Sequence, residues 1–354
     1  MAALLRRAFG KAGAAALALL PFAARAQQPP PLQRIAFGSC AHQKHPQPIW
    51  DTIGRWRPDL FIFAGDNVYG DFTTADAPQL KEAYAQLAAI EGFQRFRTTV
   101  PHLAIWDDHD YGKNDGGAEF ALKQIAKDEF LKFWNVPADD PRRTREGLHD
   151  ARIAGPPGYR VQTILLDTRW FRSALKPTDQ RGAPGKERYL PDPDPTKTML
   201  GEAQWAWLAA ELRKPAEIRL IVSSIQVLAE GHGWERWGNL PSEREKLFAL
   251  IRETDARGVV FLSGDRHIGA LYREKTVVDY PLHEITASGL NQALAFWGNR
   301  EPGPNRLGAV YGGAHFGSIE IDWWDRSVDL SIRDGGATPR RTVRIPFADL
   351  GLGR

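Results

Sequence analysis

Cysteine and methionine are nearly absent from this sequence of 354 residues, which contains one cysteine, Cys40, and two methionines. A single thiol excludes an internal disulfide, even in an oxidising compartment. In such a compartment a free thiol is a liability unless it is buried or bound to a ligand. We therefore expect Cys40 either in the core or at a metal ion.

The chain also lacks a strong basic field once its first 26 residues are set aside. Those residues carry four basic side chains and no acid, so 42 basic residues remain against 43 acidic ones and the formal charge falls from +3 to about −1. A chain with so little net charge does not attract nucleic acid. We therefore expect no nucleic-acid-binding surface.

Residues 1–26 have the pattern of an export signal. Residues 6–11, RRAFGK, fit the twin-arginine pattern R-R-x-F-x-K. They precede a small-apolar stretch at 12–24, too short and too rich in alanine to span a membrane, and a small-x-small cleavage pattern at its end. We expect a signal peptide over 1–26 that uses the twin-arginine translocase, a spacer over 27–31, and a periplasmic or secreted bacterial protein. An ordinary secretory signal is the alternative.

No linker, repeat or low-complexity run interrupts residues 32–354, so we predict one α/β domain. Apolar runs bounded by polar loops alternate with segments of helical spacing. Strands are predicted at 34–37, 60–63, 103–106, 160–166, 218–223 and 259–262. Helices are predicted at 48–57, 78–97 with a break near Gly92, 119–134, 202–212 and 242–254. Residues 318–323 and 328–332 predict a hairpin that closes a sheet edge.

Polar or ionisable residues follow each of these six predicted strands, at the point where the strand ends. In α/β folds the loops beyond the carboxyl ends of the strands converge, and ligands bind there. Structural ion pairs would not be expected to concentrate at that one edge. The sequence therefore predicts a functional site at the carboxyl ends of the strands.

Three aspartates in these loops are candidate metal ligands. Asp66 follows a buried strand and a glycine. Its carboxylate can bridge two cations about 3.5 Å apart. The alternative is an ordinary turn, because Gly-Asp is common in turns. Asp108 is one of three acids that occupy residues 107–110 together with one histidine. The acids would repel one another unless a cation or a buried base compensates their charge, and a solvated acidic turn is the alternative. Asp265 and His267 lie two apart on an extended strand end, so both can point to one side, but such pairs are often structural. His267 is either a direct ligand or a base that faces phosphate.

Two further residues are candidate ligands of the same centre. Tyr69 lies three residues after Asp66, so the loop can turn and bring the Tyr69 side chain to the same centre. Cys40 lies at the end of the first predicted strand. A lone cysteine is usually an inert buried thiol, but the position of Cys40 at the same sheet edge as the acids favours a role as a metal ligand. A thiolate beside a tyrosinate and carboxylates favours a hard, highly charged ion such as Fe(III).

Catalytic and substrate-binding candidates complete the predicted site. His109 is expected to protonate a leaving oxygen or to stabilise charge in the transition state. The guanidinium of Arg169 has several N–H donors that can bind phosphate oxygens. The alternative is a surface ion pair between Arg169 and Asp167. The substrate-binding candidates are Asn67, Asn114, Gln226, His232, Trp234 and Trp237. Core packing is the alternative for the two tryptophans.

Five motifs follow one another along the chain. They are Gly38-Ser39-Cys40, Gly65-Asp66-x-x-Tyr69, Trp106-Asp107-Asp108-His109-Asp110, Leu166-Asp167-Thr168-Arg169 and Ser263-Gly264-Asp265-Arg266-His267. In this order they resemble the alkaline phosphatase D (PhoD-like) metallophosphatases, which are relatives of the purple acid phosphatases within the calcineurin-like superfamily. The resemblance covers nearly the whole chain after the predicted signal.

The resemblance implies a four-layer α/β/β/α sandwich of two mixed sheets. It implies ferric iron held by Cys40, Asp66 and Tyr69, and one or two calcium ions bound by acids such as Asp66, Asp108 and Asp265, with other divalent cations as alternatives. It also implies that phosphomonoesters or phosphodiesters are hydrolysed by in-line attack of a metal-bound hydroxide, while the two catalytic candidates steady the charge.

Other functions remain open from the sequence. One is a phospholipid-directed phosphodiesterase of the same fold, and another is a catalytically silent secreted binding protein. A glycosidase that uses Asp107 or Asp110 would leave Cys40 and Tyr69 without a role. Because the catalytic core begins at Leu32, the long N-terminal β domain of many bacterial members is not expected, and a wider opening would favour diesters or bulkier substrates.

Overall fold

The computed structural model describes residues 30–295 and 303–353. The predicted signal peptide over 1–26 and most of the predicted spacer lie outside the described residues, so both stay predictions. Within the described ranges, no helix is long and apolar enough to cross a membrane.

Helices and strands alternate along the described residues, as the sequence predicts. The helices are α1 (Ile49–Trp56), α2 (Pro78–Ala88), α3 (Glu91–Thr99), α4 (Asp108–Tyr111), α5 (Lys123–Phe133), α6 (Gly201–Leu212) and α7 (Pro241–Glu253). The strands are β1 (Arg34–Gly38), β2 (Leu60–Ala64), β3 (His102–Ile105), β4 (Asp150–Ala154), β5 (Val161–Leu165), β6 (Lys176–Pro177), β7 (Tyr189–Leu190), β8 (Ile218–Ser223), β9 (Val259–Ser263), β10 (Gly269–Glu274), β11 (Leu282–Ala287), β12 (His315–Asp322), β13 (Ser327–Asp334) and β14 (Pro339–Pro346).

Most of these strands form two mixed sheets. Sheet A has the order β14-β13-β12-β1-β2-β3, and sheet B has the order β10-β11-β9-β8-β5-β4. In sheet A, β1, β2 and β3 are parallel, and in sheet B, β5, β8, β9 and β11 are parallel; the other neighbours are antiparallel. The short strands β6 and β7 form a hairpin of their own. The prediction of two mixed sheets is confirmed.

The two sheets pack face to face, with helices on both outer faces. Strands β10 and β11 contact β12, β13 and β14 across the interface. In β8, Leu220 belongs to the core shared with sheet A, whereas Ile221 belongs to the core beneath α6 and α7, because successive side chains of a strand point to opposite faces. On the outer face of sheet A, Trp50 of α1 and Phe93 of α3 pack against Phe63. These layers are the four-layer α/β/β/α sandwich that the resemblance implied.

The predicted break near Gly92 is confirmed, whereas one predicted helix start is wrong. The helix predicted over 78–97 is the pair α2 and α3, and the break falls just before Gly92, at Ala89 and Ile90, where Ile90 adopts an extended backbone with ψ of 110°. The helix predicted from residue 119 begins at Lys123, because the residues before it form hydrogen-bonded turns.

The predicted hairpin exists but does not close the edge of its sheet. It is β12 and β13; β12 pairs with β1, and β14 covers the other side of β13. No strand is predicted at β14 because its eight residues, PRRTVRIP, include three arginines and two prolines, and five of them are exposed. An edge strand with such side chains gives little hydrophobic signal.

The carboxyl ends of seven parallel strands, three from sheet A and four from sheet B, meet at one edge of the sandwich. Backbone hydrogen bonds tie the following loops together. Cys40 N donates to the carbonyl of Gly65 at 3.4 Å, and Gly264 N donates to the carbonyl of Ser224 at 2.9 Å. The fold therefore brings together the loops that carry the predicted site.

Candidate metal centre

The structure brings a thiol, a carboxylate, a phenol and an imidazole to one point. Donor atoms of Cys40, Asp66 and His267 lie within 4.8 Å of one another. Cys40 Sγ is 3.6 Å from Asp66 Oδ2, and Tyr69 Oη is 3.2 Å from Nε2 of His267. Such a mixture of donors suits a transition-metal ion.

Beside this thiol-containing group lie two overlapping sets of donors that share Asp108, and we call them together the carboxylate group. Donor atoms of Asp66, Asp108 and His109 lie within 4.8 Å of one another, and so do those of Asp107, Asp108 and Asp265. Asp66 belongs to both the thiol-containing group and a carboxylate group, so it lies where a bridging ligand is needed. Groups rich in carboxylate oxygen suit Ca²⁺ or Mg²⁺.

Four of the six predicted ligands have a left-handed backbone. Their φ angles are 61° at Cys40, 49° at Asp66, 67° at Asp265 and 58° at His267. This conformation costs about 1–3 kcal/mol for a residue other than glycine and clusters at functional sites. The prediction that Asp265 and His267 lie on an extended strand end is therefore wrong, although both side chains face the same cavity.

Gly65 lets the loops after β2 and β3 approach each other. Its φ is 102°, and a Cβ at this position would lie 2.5 Å from the Cβ of Asp107. Any larger residue would push apart the two loops that carry Asp66 and Asp108.

Asp108 has a carboxylate oxygen that fits a cation. Its Oδ2 accepts the backbone N–H of Asp115 at 2.7 Å, whereas its Oδ1 is buried without a hydrogen-bond partner among the described residues. Burying such an oxygen without a partner is costly, and a bound cation would satisfy it. The residues present therefore fit a metal ion at this place.

The protein surroundings alone disfavour the charged forms of the ligands. Burial, with neighbouring carboxylates adding to it, raises the pKa of Asp66 and of Asp265 well above the usual value. Burial likewise raises the pKa of the Cys40 thiol and of the Tyr69 phenol. Bound cations would reverse this direction, because a positive ion favours the charged form of each ligand.

His109 lies between the carboxylates and Asp71. Its Nδ1 is 2.7 Å from Asp71 Oδ2, and its ring centroid is 4.3 Å from that of Tyr69. Burial lowers the pKa of His109, but Asp108, Asp66 and Asp71 outweigh burial and raise it to about 11. Cations on Asp66 and Asp108 would remove much of this effect. With Nδ1 bound to Asp71, Nε2 is the ring nitrogen that can exchange a proton with a ligand.

Arg169 is fully buried between two carboxylates. Its Nε donates to Asp107 Oδ1 at 2.7 Å, and its Nη1 lies 2.7 Å from Glu235 Oε2, while Arg172 contacts the same glutamate at 3.0 Å. Burial raises the pKa of Asp107 to about 6 and that of Glu235 to about 7, and Arg169 opposes both shifts. The alternative of a surface pair with Asp167 is wrong. Arg169 is the buried base that compensates the acidic segment, and it does not line the cavity described below.

Asp110 and Asn67 hold this acidic segment in shape. Asp110 accepts the backbone N–H of Asp107 and the Nδ2 group of Asn67, each at 2.6 Å, and all three residues are buried. Asn67 also donates to the carbonyl of Ile105 at 2.9 Å. These hydrogen bonds argue against a glycosidase, whose two carboxyl groups must flank a substrate.

Tyr69 is held by the loop after β1. The Gln43 side chain bonds to both the N–H and the carbonyl of Tyr69, each at 2.9 Å. The His42 ring stacks on the Tyr69 ring, with centroids 4.7 Å apart and an interplanar angle of 14°. No pattern in the sequence identifies a partner for His42, so the sequence does not predict that His42 belongs to the site.

A cavity of about 250 Å³ opens onto the two donor groups. The residues that line it are Asp66, Asp108, His109, Asn114, Asp115, Arg188, Trp234, Glu235, Asp265, Arg266, His267 and Leu294. Its inner wall is acidic, and two arginines and a tryptophan form another part of its lining.

Of the six substrate-binding candidates, Asn114 and Trp234 line this cavity. Gln226 and His232 are buried and bonded to each other at 3.0 Å, and Gln226 also donates to side chains of β10 and β11. Trp237 lies in the core, where its Nε1 donates to Ser223 Oγ at 3.0 Å. The prediction that these three residues bind substrate is corrected, since each side chain bonds or packs inside the protein. The same correction applies to Asn67, whose side chain bonds to Asp110 and to the carbonyl of Ile105.

Two residues at the site were not predicted from the sequence: Asp71, which contacts His109, and Arg188, which lines the cavity. Asp71 follows Tyr69 closely but was given no role. Arg188 contacts Asp115 from a position 73 residues further along the chain, in a segment without periodic pattern. No local signal identifies such a pair, because only the folded chain brings its members together.

The fold and the two donor groups define a class of protein, the α/β/β/α sandwich with a candidate metal centre at the strand ends. The chain belongs to the PhoD-like phosphatase family, whose sequence model matches residues 35–295. It is similar to alkaline phosphatase D of Bacillus subtilis (strain 168), with 22% identity over 277 residues, which are 67% of this chain and 46% of that protein. The chain thus spans about half the length of this curated relative.

Two solved structures share the fold. The structure of PhoD matches with a TM-score of 0.69 at 16% identity, over 89% of this chain and 68% of that chain. GAP50, the anchor in the inner membrane complex of Plasmodium, matches with a TM-score of 0.55 at 14% identity, over 89% of each chain. At these identities the likeness shows the fold alone.

Proposed function

We propose that this chain is a metal-dependent phosphoesterase that hydrolyses phosphomonoesters, phosphodiesters or both. One observation carries the proposal: Asp66 joins a thiol-containing donor group to a carboxylate group that includes Asp108, whose Oδ1 lacks a hydrogen-bond partner among the described residues. Two cation sites that share a carboxylate are the arrangement used by two-metal phosphatases. Membership of the PhoD-like phosphatase family supports the same reaction.

The donor types indicate which ion each group would hold. Cys40, Asp66 and Tyr69 would hold Fe³⁺, because a thiolate and a phenolate favour a highly charged ion. Asp66, Asp108 and Asp265 would hold one or two Ca²⁺ ions, which prefer oxygen ligands. When bound, these cations would neutralise phosphate charge and make water a stronger nucleophile near neutral pH.

Two histidines have different tasks in this proposal. Burial, with repulsion from Arg266 and His109, lowers the pKa of His267 to about 4, so its imidazole is neutral and able to bind a cation. His109 is held at Nδ1 by Asp71 and would give a proton from Nε2 to the leaving oxygen. The two imidazoles thus serve as ligand and acid.

Arg169 acts in this proposal through the carboxylates that it contacts. Its guanidinium is fully buried and bonded to Asp107 and Glu235. It would therefore position the acidic segment next to the phosphate rather than clamp phosphate oxygens itself. This makes Arg169 a positioning residue.

Hydrolysis of p-nitrophenyl phosphate and bis-p-nitrophenyl phosphate tests the proposal. We expect turnover that a chelator abolishes and Ca²⁺ restores. Asp66→Ala should lower kcat/KM by more than about 100-fold, because it removes a ligand of both cations. Asp51→Ala, which changes an exposed acid of α1, serves as the matched control. Unchanged turnover in Asp66→Ala would refute the metal-bridge role, and no turnover with either ester would favour the silent binding protein.

We also infer that the protein is exported to the periplasm or secreted, since residues 6–11 fit the twin-arginine pattern. Sequencing the mature N-terminus after expression in a bacterium tests this: cleavage before Gln27 is expected. Replacing Arg6 and Arg7 together by lysine should retain the precursor in the cytoplasm. Normal export of that variant would favour the ordinary secretory route.

A further inference from the structure

We propose that Arg188 and Trp234, together with Arg266, form a subsite that binds a second anionic group of the substrate beside the scissile phosphate. The inference rests on the proposed phosphoesterase function and names its substrate class: phosphate esters that carry a further phosphate or carboxylate. All three residues line the same cavity as Asp66 and Asp108.

Backbone hydrogen bonds fix the segment that carries Arg188. The N–H groups of Arg188 and Tyr189 donate to the carbonyl of Gly233 at 3.0 Å and 2.7 Å. The hairpin of β6 and β7 is therefore tied to the loop that carries Trp234. A Cβ on Gly233 would lie 2.5 Å from the backbone nitrogen of Glu187, so the close approach requires glycine here.

Asp115 connects this subsite to the candidate metal centre. Its Oδ2 accepts hydrogen bonds from Nη1 of Arg188 at 2.5 Å and from Oη of Tyr189 at 2.9 Å. Its backbone N–H donates to Asp108 Oδ2 at 2.7 Å. Asp115 therefore contacts both Arg188 and the predicted metal ligand Asp108, and these hydrogen bonds hold the subsite next to the candidate metal centre.

Two guanidinium groups lie near one indole ring. The Cζ atoms of Arg188 and Arg266 are 4.9 Å and 5.2 Å from the centroid of the Trp234 ring. Cation–π attraction holds both cations against the ring, which orients their planar donors. Burial opposes the charge of Arg188, but Asp115 outweighs burial and raises its pKa, so Arg188 stays charged at all working pH values. Paired arginine forks are suited to phosphate or carboxylate oxygens.

The placement of Asp115 explains why Arg188 would contact a second group. A phosphate bound by cations on Asp66, Asp108 and Asp265 would lie beside the carboxylates that line the cavity. Carboxylate oxygens of Asp108 and Asp115 lie within 4.8 Å of each other, and Arg188 contacts the Asp115 carboxylate. Among the described residues this contact uses Nη1 of Arg188, so its Nε and Nη2 would be the donors to a second anionic group.

Two esters of one alcohol provide the test: propane-1,3-diol monophosphate and propane-1,3-diol bisphosphate, with phosphate release as the readout. The wild type should favour the bisphosphate. Arg188→Met should lower kcat/KM for the bisphosphate by about 10- to 100-fold, mainly through KM, because it removes charge-assisted hydrogen bonds. The same variant should change kcat/KM for the monophosphate by less than about 3-fold. Arg181→Met, which changes an exposed arginine of the same hairpin, is the matched control.

Arg188→Lys is the conservative control for loss of structure, because it keeps the positive charge but not the planar guanidinium. This variant should retain an intermediate preference for the bisphosphate. Equal losses on both esters in both variants, or no loss on either, would overturn the subsite. If the wild type hydrolyses neither ester, the proposed function fails instead. Calorimetric binding of the bisphosphate then still tests the subsite, which predicts weaker binding in Arg188→Met and is refuted by equal binding.

Discussion

Nδ1 of His109 lies 2.7 Å from Oδ2 of Asp71, and this pair connects the candidate metal centre to the loop that follows β2. The backbone N–H of His109 also donates to Asp66 Oδ1 at 3.2 Å. A carboxylate at Nδ1 fixes the tautomer and the orientation of an imidazole. Asp71 is therefore placed to position His109, while His109 itself lines the cavity.

Asp71→Asn should lower kcat by about 10-fold with little change in KM, because the ring loses its orienting charge but still fits the site. His109→Ala should cost about 100-fold or more, as expected for loss of a general acid. Steady-state kinetics with p-nitrophenyl phosphate measure both variants. Asp76→Asn, in the same loop and fully exposed, is the control. Wild-type kcat in Asp71→Asn would exclude the positioning role.

Arg169→Met should destabilise the fold as well as slow the reaction. It leaves the buried carboxylates of Asp107 and Glu235 without their cation, at a cost of about 3–5 kcal/mol in the free energy of unfolding. Arg95→Met removes only exposed pairs, with Asp51 and Glu91, and should cost less than about 1 kcal/mol. Urea unfolding measures both values. An Arg169→Met protein of normal stability that has lost only activity would support the phosphate clamp instead.

Cys40→Ser should change the metal content and the colour of the protein. Iron bound by a thiolate and a tyrosinate absorbs visible light, so the native protein should be coloured. The variant should bind less iron, and its absorption band should shift or disappear. Metal analysis and absorption spectra check this, with chelated wild type as the control. A colourless, iron-free native protein that is active with zinc alone would contradict the iron assignment.

Acid should destabilise the protein through buried His149. Burial, with repulsion from Arg145 and Lys127, lowers its pKa to about 3 from a usual value of 6.5. Between these values the unfolded chain binds a proton that the folded chain does not bind. The stability linked to this group is therefore fully present above pH 6.5 and is lost as the pH falls toward 3. The loss from pH 6.5 to pH 5 is about 2 kcal/mol.

His149→Leu should flatten this part of the stability profile. Urea unfolding at pH 8 and pH 5 measures the free energy of unfolding of each protein. At pH 8 the imidazole is neutral in both states, so the difference there reports only the packing of the side chain against Trp207. If the variant keeps the full pH dependence of the wild type, His149 is not its source.

The buried parallel strands could be predicted from the sequence. Strand β2, LFIFA, and strand β8, IRLIVS, are buried along most or all of their lengths. Such strands appear as apolar runs that end at turn residues, which is a local signal. The other strands gave weaker signals. Strand β11, LHEITA, is fully buried but contains Glu284, whose carboxylate accepts the N–H groups of Val227 and Leu228 at 2.9 Å and 2.6 Å.

By itself the sequence determined the class of fold and which residues stand at the strand ends. Asp66, Asp108 and Asp265 could be placed there because each closely follows a predicted strand, and the loops beyond the carboxyl ends of the strands converge in α/β folds. Only the tertiary structure decided which charges face the cavity. Arg169 turns inward because Asp107, 62 residues away, is buried and needs a cation. Arg188 reaches the cavity because a distant hairpin packs against the loop at Gly233, and no pattern within one segment encodes that contact.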